Sequence, residues 1–272
     1  MNRDDPTRTA ARRRALDHVL AGIAGSVWSA DLMLRGSTLL RAWFGDMARE
    51  PGDLDFVVIP HTVNLDDGYA DDLLDGVLEA AARASRADTS ATPVRIDAAK
   101  AEWDDIWDYD AAPGRRYELP YDAGDAGHGR LQIDFTFNER VPTGPVATEI
   151  PRADGGAPAT VLAASPELSL AWKLLWLVNE AAPQGKDLFD AVLLAEHVYL
   201  SADLLVEVSV LADATPRPVT EATLRAALHR ADASWKAFRN RELPDGPVTP
   251  APFAARLLAA LHGTFDAPRE TR

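Results

Sequence analysis

The segment DLDFVV at residues 53–58 places two aspartates, Asp53 and Asp55, at alternate positions of an otherwise apolar run. Because side chains alternate between the two faces of a strand, both carboxylates project from the same face. Two such charges repel each other, and partial burial makes each costly to ionise unless a cation lies between them. Magnesium prefers oxygen ligands and commonly takes one or two carboxylates. The segment therefore favours a metal site on a strand of a sheet.

A third carboxylate and a small-residue turn extend this pattern. Asp134 lies within LQIDFTF at residues 131–137, an apolar strand-like setting that resembles that of Asp55. Three carboxylates on neighbouring strands are typical of a two-metal site for in-line attack on phosphorus. A turn at Gly36 and Ser37 precedes a short helical segment, and such a turn can bind phosphate oxygens through its backbone amides, the serine hydroxyl and the helix N-terminus.

Each of these features also has a purely structural interpretation. Two aspartates separated by one residue are common in loops and at strand ends, and a lone aspartate on a strand most often faces solvent. A Gly-Ser turn by itself is a still weaker signal. Their order along the chain, with a strand and a turn before the aspartate pair and a later strand with the single aspartate, favours the functional interpretation.

The pattern of elements divides the chain near residue 160 into two parts. The first part, residues 1–163, is predicted to be an α/β domain with an N-terminal helix, and the second, residues 164–272, a helical domain that completes the active-site cleft. The helices of the second part are separated by Pro and Gly, and the first of them is predicted to begin with Ser165 as its N-cap and Pro166 in its first turn. In the first part, helices are predicted over about residues 7–25, 37–45 and 68–87, strands over 27–34 and 53–60, and a β-meander of the same sheet over 92–137.

Composition limits the classes of protein that remain. The chain has 272 residues, no cysteine and no apolar run near the roughly 20 residues of a membrane span. These properties predict a globular cytoplasmic protein without disulfides, thiolate metal sites or membrane contact. The net charge of −14 argues against a surface that coats nucleic acid broadly, although a local basic site remains compatible with it.

Lysine is scarce in this sequence, with 4 lysines against 24 arginines. Two of the lysines, Lys173 and Lys186, fall on the two predicted helices after the carboxylate part. A lysine there is a point charge that can reach the triphosphate of a nucleotide, and the alternative is a solvated helix surface. Arg115 and Arg116 lie on a strand before Asp134, where they either contact phosphate or belong to the surface.

These motifs together resemble the nucleotidyltransferase fold of the DNA polymerase β superfamily. Within it, the stretches LRGSTLLRAWFG, DLDFVV, LQIDFTF, SPELSLAWKLLWLVNE and GKDLFDAVLLAEH resemble the AbiEii family, the nucleotidyltransferase toxins of abortive-infection and type IV toxin–antitoxin systems. The resemblance covers about residues 30–198. It implies an α+β fold, with a mixed sheet and flanking helices followed by an all-helical C-terminal half.

The resemblance also implies a role for each matching residue. Asp53, Asp55 and Asp134 are expected to bind Mg²⁺ or Mn²⁺, with Asp134 as a candidate general base, and Gly36 and Ser37 to seat the triphosphate. Lys173 matches the family's Lys-Leu pair, and its Lys-Asp-x-x-Asp motif is matched by the three residues Lys186, Asp187 and Asp190. The lysines are expected to neutralise the triphosphate, and Asp187 to organise the active site with support from Asp190.

The implied reaction transfers a nucleoside monophosphate from an NTP to an acceptor hydroxyl and releases pyrophosphate. The family suggests a tRNA 3′ end as the acceptor and a cognate antitoxin as a partner. A protein side chain or a small molecule such as an antibiotic remains an alternative acceptor, and a non-catalytic nucleotide-binding protein is the rival class. The chain departs from the family where Pro51 stands two residues before Asp53, since a Ser or Thr is frequent there.

Overall fold

The computed structural model describes residues 6–108, 112–212 and 217–266. The chain forms two compact units. The first comprises Met1–Trp43, Pro51–Glu139 and Pro145–Ala164, and the second Phe44–Glu50, Arg140–Gly144 and Ser165–Arg272. The end residues of the predicted domains, 1–5 and 267–272, lie outside the described residues, as do 109–111 and 213–216. Within the described residues, every helix is too short or too polar to span a bilayer.

The first unit is built on an eight-stranded mixed sheet. Its strands are β1 (Leu32–Arg35), β2 (Asp53–Val58), β3 (Arg95–Ile96), β4 (Glu102–Asp108), β5 (Ala112–Asp122), β6 (His128–Thr136), β7 (Val146–Ile150) and β8 (Ala159–Ala163). The strand order is β3-β5-β6-β2-β1-β8-β7, and β4 also pairs with β5. β2 runs parallel to β6 and β1 parallel to β8, while the other pairs are antiparallel.

The alternating sequence of β2 and β6 gives these two strands one apolar and one polar face. Phe56 and Phe135 are direct partners in the register, their rings stack with centroids 5.6 Å apart, and both side chains are fully buried. The aspartates occupy the alternate positions and therefore the opposite face. The apolar face fixes the register, because a slip by one residue would turn the aspartates into the core.

Three helices accompany this sheet, namely α1 (Pro6–Ala24), α2 (Ser37–Phe44) and α3 (Gly68–Arg86). α1 packs on α3 and β8. At Gly22 a Cβ would lie 2.7 Å from the backbone of Ala80, so a larger residue would push these two helices apart. The Arg12 guanidinium of α1 donates to the carbonyl of Gly52, directly before the aspartate pair. The N-terminal helix thus helps to fix the start of β2.

The second unit is helical. Its helices are α4 (Pro166–Asn179), α5 (Gly185–Ala195), α6 (Ala202–Ala212), α7 (Glu221–Leu228), α8 (Asp232–Glu242), α9 (Ala251–Ala260) and α10 (His262–Asp266). α4 begins as its sequence predicts, because the Ser165 side chain accepts a hydrogen bond from the Leu168 amide and Pro166 occupies the first turn. Trp235 is fully buried between Phe238 and Phe253 and forms part of the core of this unit.

The mixed sheet and the helical C-terminal part confirm the predicted α+β fold class. The sequence interpretation was wrong about the first strand, predicted over residues 27–34. Val27–Ala30 forms a 3-10 turn instead, because the Ser26 hydroxyl accepts a hydrogen bond from the Trp28 amide, and β1 begins only at Leu32. The hairpin of β7 and β8 was not predicted.

Candidate active site

The register of the sheet brings two of the predicted carboxylates side by side. Asp55 on β2 is the direct partner of Asp134 on β6, and Asp53 lies opposite Gln132. Directly paired residues project from the same face of a sheet, with neighbouring strands about 4.8 Å apart. Asp53 and Asp55 are half-buried, whereas Asp134 is buried. The first unit therefore presents all three carboxylates on one face.

Arginines flank this carboxylate pair on both sides along one row of the sheet. Arg35 on β1 pairs in register with Asp55, and Arg116 on β5 pairs with Asp134. The row reads Arg35, Asp55, Asp134, Arg116 across four strands. The two aspartates therefore lie between two arginines in this row.

Arg116 makes a bidentate ion pair with the third carboxylate. Its Nε donates to Asp134 Oδ1 at 2.8 Å and its Nη2 to Oδ2 at 2.6 Å. The Gln132 amide also donates to both oxygens, at 3.2 and 3.0 Å. The hydrogen bond to Asp134 raises the pKa of Arg116, and the charges of Asp55 and Asp53 raise it further. The guanidinium is therefore a permanent cation at this edge of the site.

Arg35 is the buried counterpart on the other side of the row. It donates to Glu139 Oε2 at 2.6 Å and to Thr136 Oγ1 at 3.0 Å. Arg35, Thr136 and Glu139 are all buried. A charge-assisted pair of this kind, removed from water, holds its side chains in one geometry. The sequence interpretation did not include Arg35 or Glu139; the signal that was available is a charged residue at the end of an otherwise apolar strand.

The turn at Gly36 and Ser37 lies directly against the aspartate pair. Gly36 has a φ of +88°, and a Cβ at this position would lie 2.5 Å from Asp55 Oδ2. Only glycine permits both this backbone conformation and this approach. Ser37 opens α2, and its hydroxyl is buried with no hydrogen-bond partner within the described residues. Thr38 donates to the carbonyl of Asp53 at 3.4 Å, which links the start of α2 to the start of β2.

The carboxylates of Asp53 and Asp55 fit a divalent cation. One or two carboxylates are what Mg²⁺ commonly takes from a protein, the remaining positions going to water and phosphate oxygens. The buried Ser37 hydroxyl beside the pair is a polar atom suited to a phosphate oxygen. Among the described residues, no group of three or more His, Asp or Glu side chains is arranged to hold a metal ion. Asp134 instead gives both oxygens to Arg116.

The predicted residues of the helical part form a separate cluster in the second unit. Lys173 on α4 is buried, and its Nζ donates to Asp187 Oδ1 at 2.7 Å and lies 3.2 Å from Asp190 Oδ2. Burial would lower the pKa of Lys173, but the charges of Asp187 and Asp190 outweigh burial and raise it. Arg49 binds Asp190 as well, through Nε and Nη2 at 3.0 Å. Two cations and two carboxylates thus neutralise each other.

Lys186 occupies a different environment from Lys173. It lies in the first turn of α5, is half-buried, and its charge acts on the carboxylate of Glu180. Its neighbour Asp187 forms an ion pair with Lys173 through Oδ1. The structure thus brings Gly36 and Ser37 together with the three aspartates in the first unit. In the second unit, it brings Lys173 together with Asp187 and Asp190.

The first unit also contains a cleft of about 1160 Å³, which is an alternative place for an active site. It is lined by α3, β3 and the ends of β5 and β6. Several of its charged side chains pair with partners of opposite sign, as Lys100 does with Asp97 at 2.7 Å and Arg130 with Glu102 at 2.6 Å. These pairs are exposed salt bridges of little energetic value. The row that contains Asp55 and Asp134 is the better candidate for an active site. It lies against the backbone of Gly36 and beside the buried hydroxyl of Ser37.

The family comparison covers the part of the chain that contains this candidate site. A family described as "Nucleotidyl transferase AbiEii toxin, Type IV TA system" matches residues 18–260, which contain every residue of both clusters. The chain belongs to the AbiEii family. It is thus a nucleotidyltransferase toxin of the type IV toxin–antitoxin class. No curated protein sequence matches the chain.

A solved structure supports the fold of this AbiEii-family chain. MenT4, a nucleotidyltransferase toxin from Mycobacterium tuberculosis H37Rv, superposes with a TM-score of 0.61 and 18% sequence identity. The match covers 96% of this chain and 85% of MenT4. At that identity the likeness concerns the fold, and it extends over nearly the whole chain.

Proposed function

We propose that this AbiEii-family protein transfers a nucleoside monophosphate from an NTP to an acceptor hydroxyl in a reaction that depends on Mg²⁺ or Mn²⁺. The observation that carries the proposal is the contact between the Gly36 turn and Asp55, beside the aligned Asp134. A phosphate-binding turn and metal-binding carboxylates are the two parts that phosphoryl transfer needs next to each other.

Each residue of the first unit has a distinct task in this reaction. Asp53 and Asp55 would hold the divalent cation, with Asp134 completing the site. A cation bound there supplies positive charge that stabilises the transition state of in-line displacement at the α-phosphorus. The backbone at Gly36 and the Ser37 hydroxyl bind phosphate oxygens. The acceptor oxygen forms a bond to the α-phosphorus, the bond to the β-phosphate oxygen breaks, and pyrophosphate leaves. Asp134 is proposed to accept the proton of the hydroxyl.

The cluster of the second unit is also proposed to take part. Lys173 and Lys186 are assigned to the charge of the triphosphate, and Asp187 to the organisation of the site. In the structure the Lys173 ammonium already has Asp187 as its partner. The half-buried Lys186 is the more accessible of the two lysines. Lys186→Met is therefore expected to raise the KM for the NTP without loss of stability.

The acceptor is proposed to be the 3′ end of a tRNA, with a cognate antitoxin as the partner that restrains the activity and the cytoplasm as the compartment. The family supplies this suggestion. A protein side chain or a small molecule is the alternative acceptor, favoured by the net charge of −14, which disfavours broad contact with RNA.

The test incubates the full chain with each α-labelled NTP, Mg²⁺ or Mn²⁺, and in parallel tRNA, a cell lysate and small-molecule acceptors. Label in tRNA supports the proposed acceptor, and label in protein or a small molecule replaces it. Transfer is expected to vanish with a chelator and in Asp53→Asn. Asp66→Asn, the same charge change at an exposed loop position, is the matched control and should retain activity. Absence of transfer with every NTP and acceptor would leave a non-catalytic binding protein.

A further inference from the structure

The guanidinium of Arg116 binds the carboxylate of Asp134, which the proposed reaction assigns to the metal site. Both oxygens of Asp134 accept hydrogen bonds from Arg116, at 2.8 and 2.6 Å. A divalent cation needs a carboxylate oxygen with a lone pair directed at it. Positive charge from two sources on one carboxylate is also unfavourable, because the two cations repel each other.

Arg116 is held differently from the structural arginine of the same row. Its side chain is 41% exposed, against 6% for Arg35. Arg35 donates to both Glu139 and Thr136, whereas every hydrogen bond described for the Arg116 guanidinium goes to Asp134. Arg116 therefore has room at the surface to leave Asp134. The Gln132 amide donates to Asp134 independently of Arg116.

We propose that Arg116 binds Asp134 as its cation when no metal is present. Arg116 thus competes with the divalent metal for Asp134 and so sets the metal affinity of the site. This inference rests on the proposed metal-dependent function. Arg116 balances the charge of Asp55 and Asp134 when no metal is bound. It moves aside when a metal enters, so that the oxygens of Asp134 become available to the metal. Arg116 is thus a positioning residue that couples metal entry to the state of Asp134.

The neighbouring Arg115 offers a matched control on the opposite face of β5. It binds Asp105 at 3.1 Å, and its guanidinium lies over the Trp103 ring at 4.1 Å. Arg115→Met removes one positive charge from the same strand, as Arg116→Met does. A general change of the electrostatic potential acts in both variants, whereas loss of the direct contact with Asp134 occurs only in Arg116→Met.

The experiment titrates Mn²⁺ alone into the full chain without nucleotide and follows free Mn²⁺ by electron paramagnetic resonance. Arg116→Met is expected to bind Mn²⁺ about tenfold more tightly than the wild type, the size of effect of a charge-assisted contact. Arg115→Met should stay close to the wild type. Arg116→Lys, which keeps the charge but loses the two-pronged geometry, should lie in between. Without metal, Arg116→Met should also have a lower Tm than the wild type, and saturating Mn²⁺ should close this gap.

Two different failures can be told apart. Equal Mn²⁺ affinity in the wild type and Arg116→Met, or an equal gain in Arg115→Met, would overturn the competition while leaving the metal site in place. Weaker binding in Arg116→Met would overturn it too, because Arg116 would then support the metal. If neither protein binds Mn²⁺ and Asp53→Asn changes nothing, the proposed metal site itself is wrong.

Discussion

At the scale of single residues, the buried Ser37 hydroxyl has a role in the proposed function but does not stabilise the fold. Within the described residues this hydroxyl has no hydrogen-bond partner, and a buried hydroxyl of this kind costs free energy in the folded state. A phosphate oxygen would supply the missing partner. Ser169 on α4 also has a buried hydroxyl without a partner within the described residues, so it is the position of Ser37 beside Gly36 that points to a phosphate.

Ser37→Ala is expected to leave the free energy of unfolding unchanged or slightly higher, since it removes an unpaired polar group. The KM for the NTP should rise about tenfold, because a hydrogen bond to a charged phosphate is lost. Urea unfolding and initial-rate kinetics measure the two effects. Ser169→Ala is the control, because the Ser169 hydroxyl is likewise buried and without a partner within the described residues. A similar KM change in both variants would contradict the role of Ser37.

Asp17 on α1 makes stability depend on pH. Burial raises its pKa from 3.8 to about 6, and the hydrogen bond from the Ala153 amide opposes this only in part. The folded protein thus holds the proton more tightly than the unfolded chain. The contribution of protonated Asp17 is fully present below about pH 4 and is lost as the pH rises through about 6.

Asp17→Asn is therefore expected to stabilise the protein at pH 8 by on the order of 2 to 3 kcal/mol and to have little effect at pH 4. Urea unfolding of wild type and variant at the two pH values measures the difference. Asp154 affects the pH dependence of stability in the opposite direction, because the hydrogen bond from Arg152 lowers its pKa. Asp154→Asn should destabilise the protein at pH 8. A stabilisation by Asp17→Asn that is the same at both pH values would refute the assignment.

At the scale of elements, the junction of β1 and α2 depends on glycine. Gly36→Ala is expected to lower kcat/KM by about a hundredfold, because the new Cβ would displace the Asp55 carboxylate by a distance that matters for catalysis. Gly127 is a matched control, since its φ of +89° is also unfavourable for alanine but no atom lies within 4 Å of the new Cβ. Gly127→Ala should lose some stability and keep its activity. Equal losses of activity would attribute the effect to strain alone.

The helix pair α4 and α5 is joined by the buried Lys173 and Asp187. Lys173→Met should destabilise the protein by roughly 3 kcal/mol, since it leaves buried carboxylates with less compensating charge. The double variant Lys173→Met with Asp187→Asn should recover part of this loss in urea unfolding. If the double variant is as unstable as the sum of the two single variants, the pair does not stabilise the fold.

At the scale of the whole molecule, alternating patterns allowed the sequence to predict the strands of the aspartates, and capping allowed it to predict the start of α4. The hairpin of β7 and β8 escaped because β7 lacks an apolar alternation and has exposed positions along most of its length. The pairing of Arg116 with Asp134 could not be read from the sequence either. It depends on the register of two strands whose partners are fixed by tertiary packing.

The central claim is that Asp53 and Asp55 carry a metal-dependent nucleotidyl transfer. The most direct measurement follows label from the α-phosphate of each NTP into acceptor, together with pyrophosphate release, for wild type, Asp55→Asn and Asp66→Asn. We predict equal amounts of transferred label and pyrophosphate in the wild type and in Asp66→Asn, only with Mg²⁺ or Mn²⁺, and none in Asp55→Asn. Transfer by Asp55→Asn at the wild-type rate, or transfer that persists in a chelator, would contradict the account.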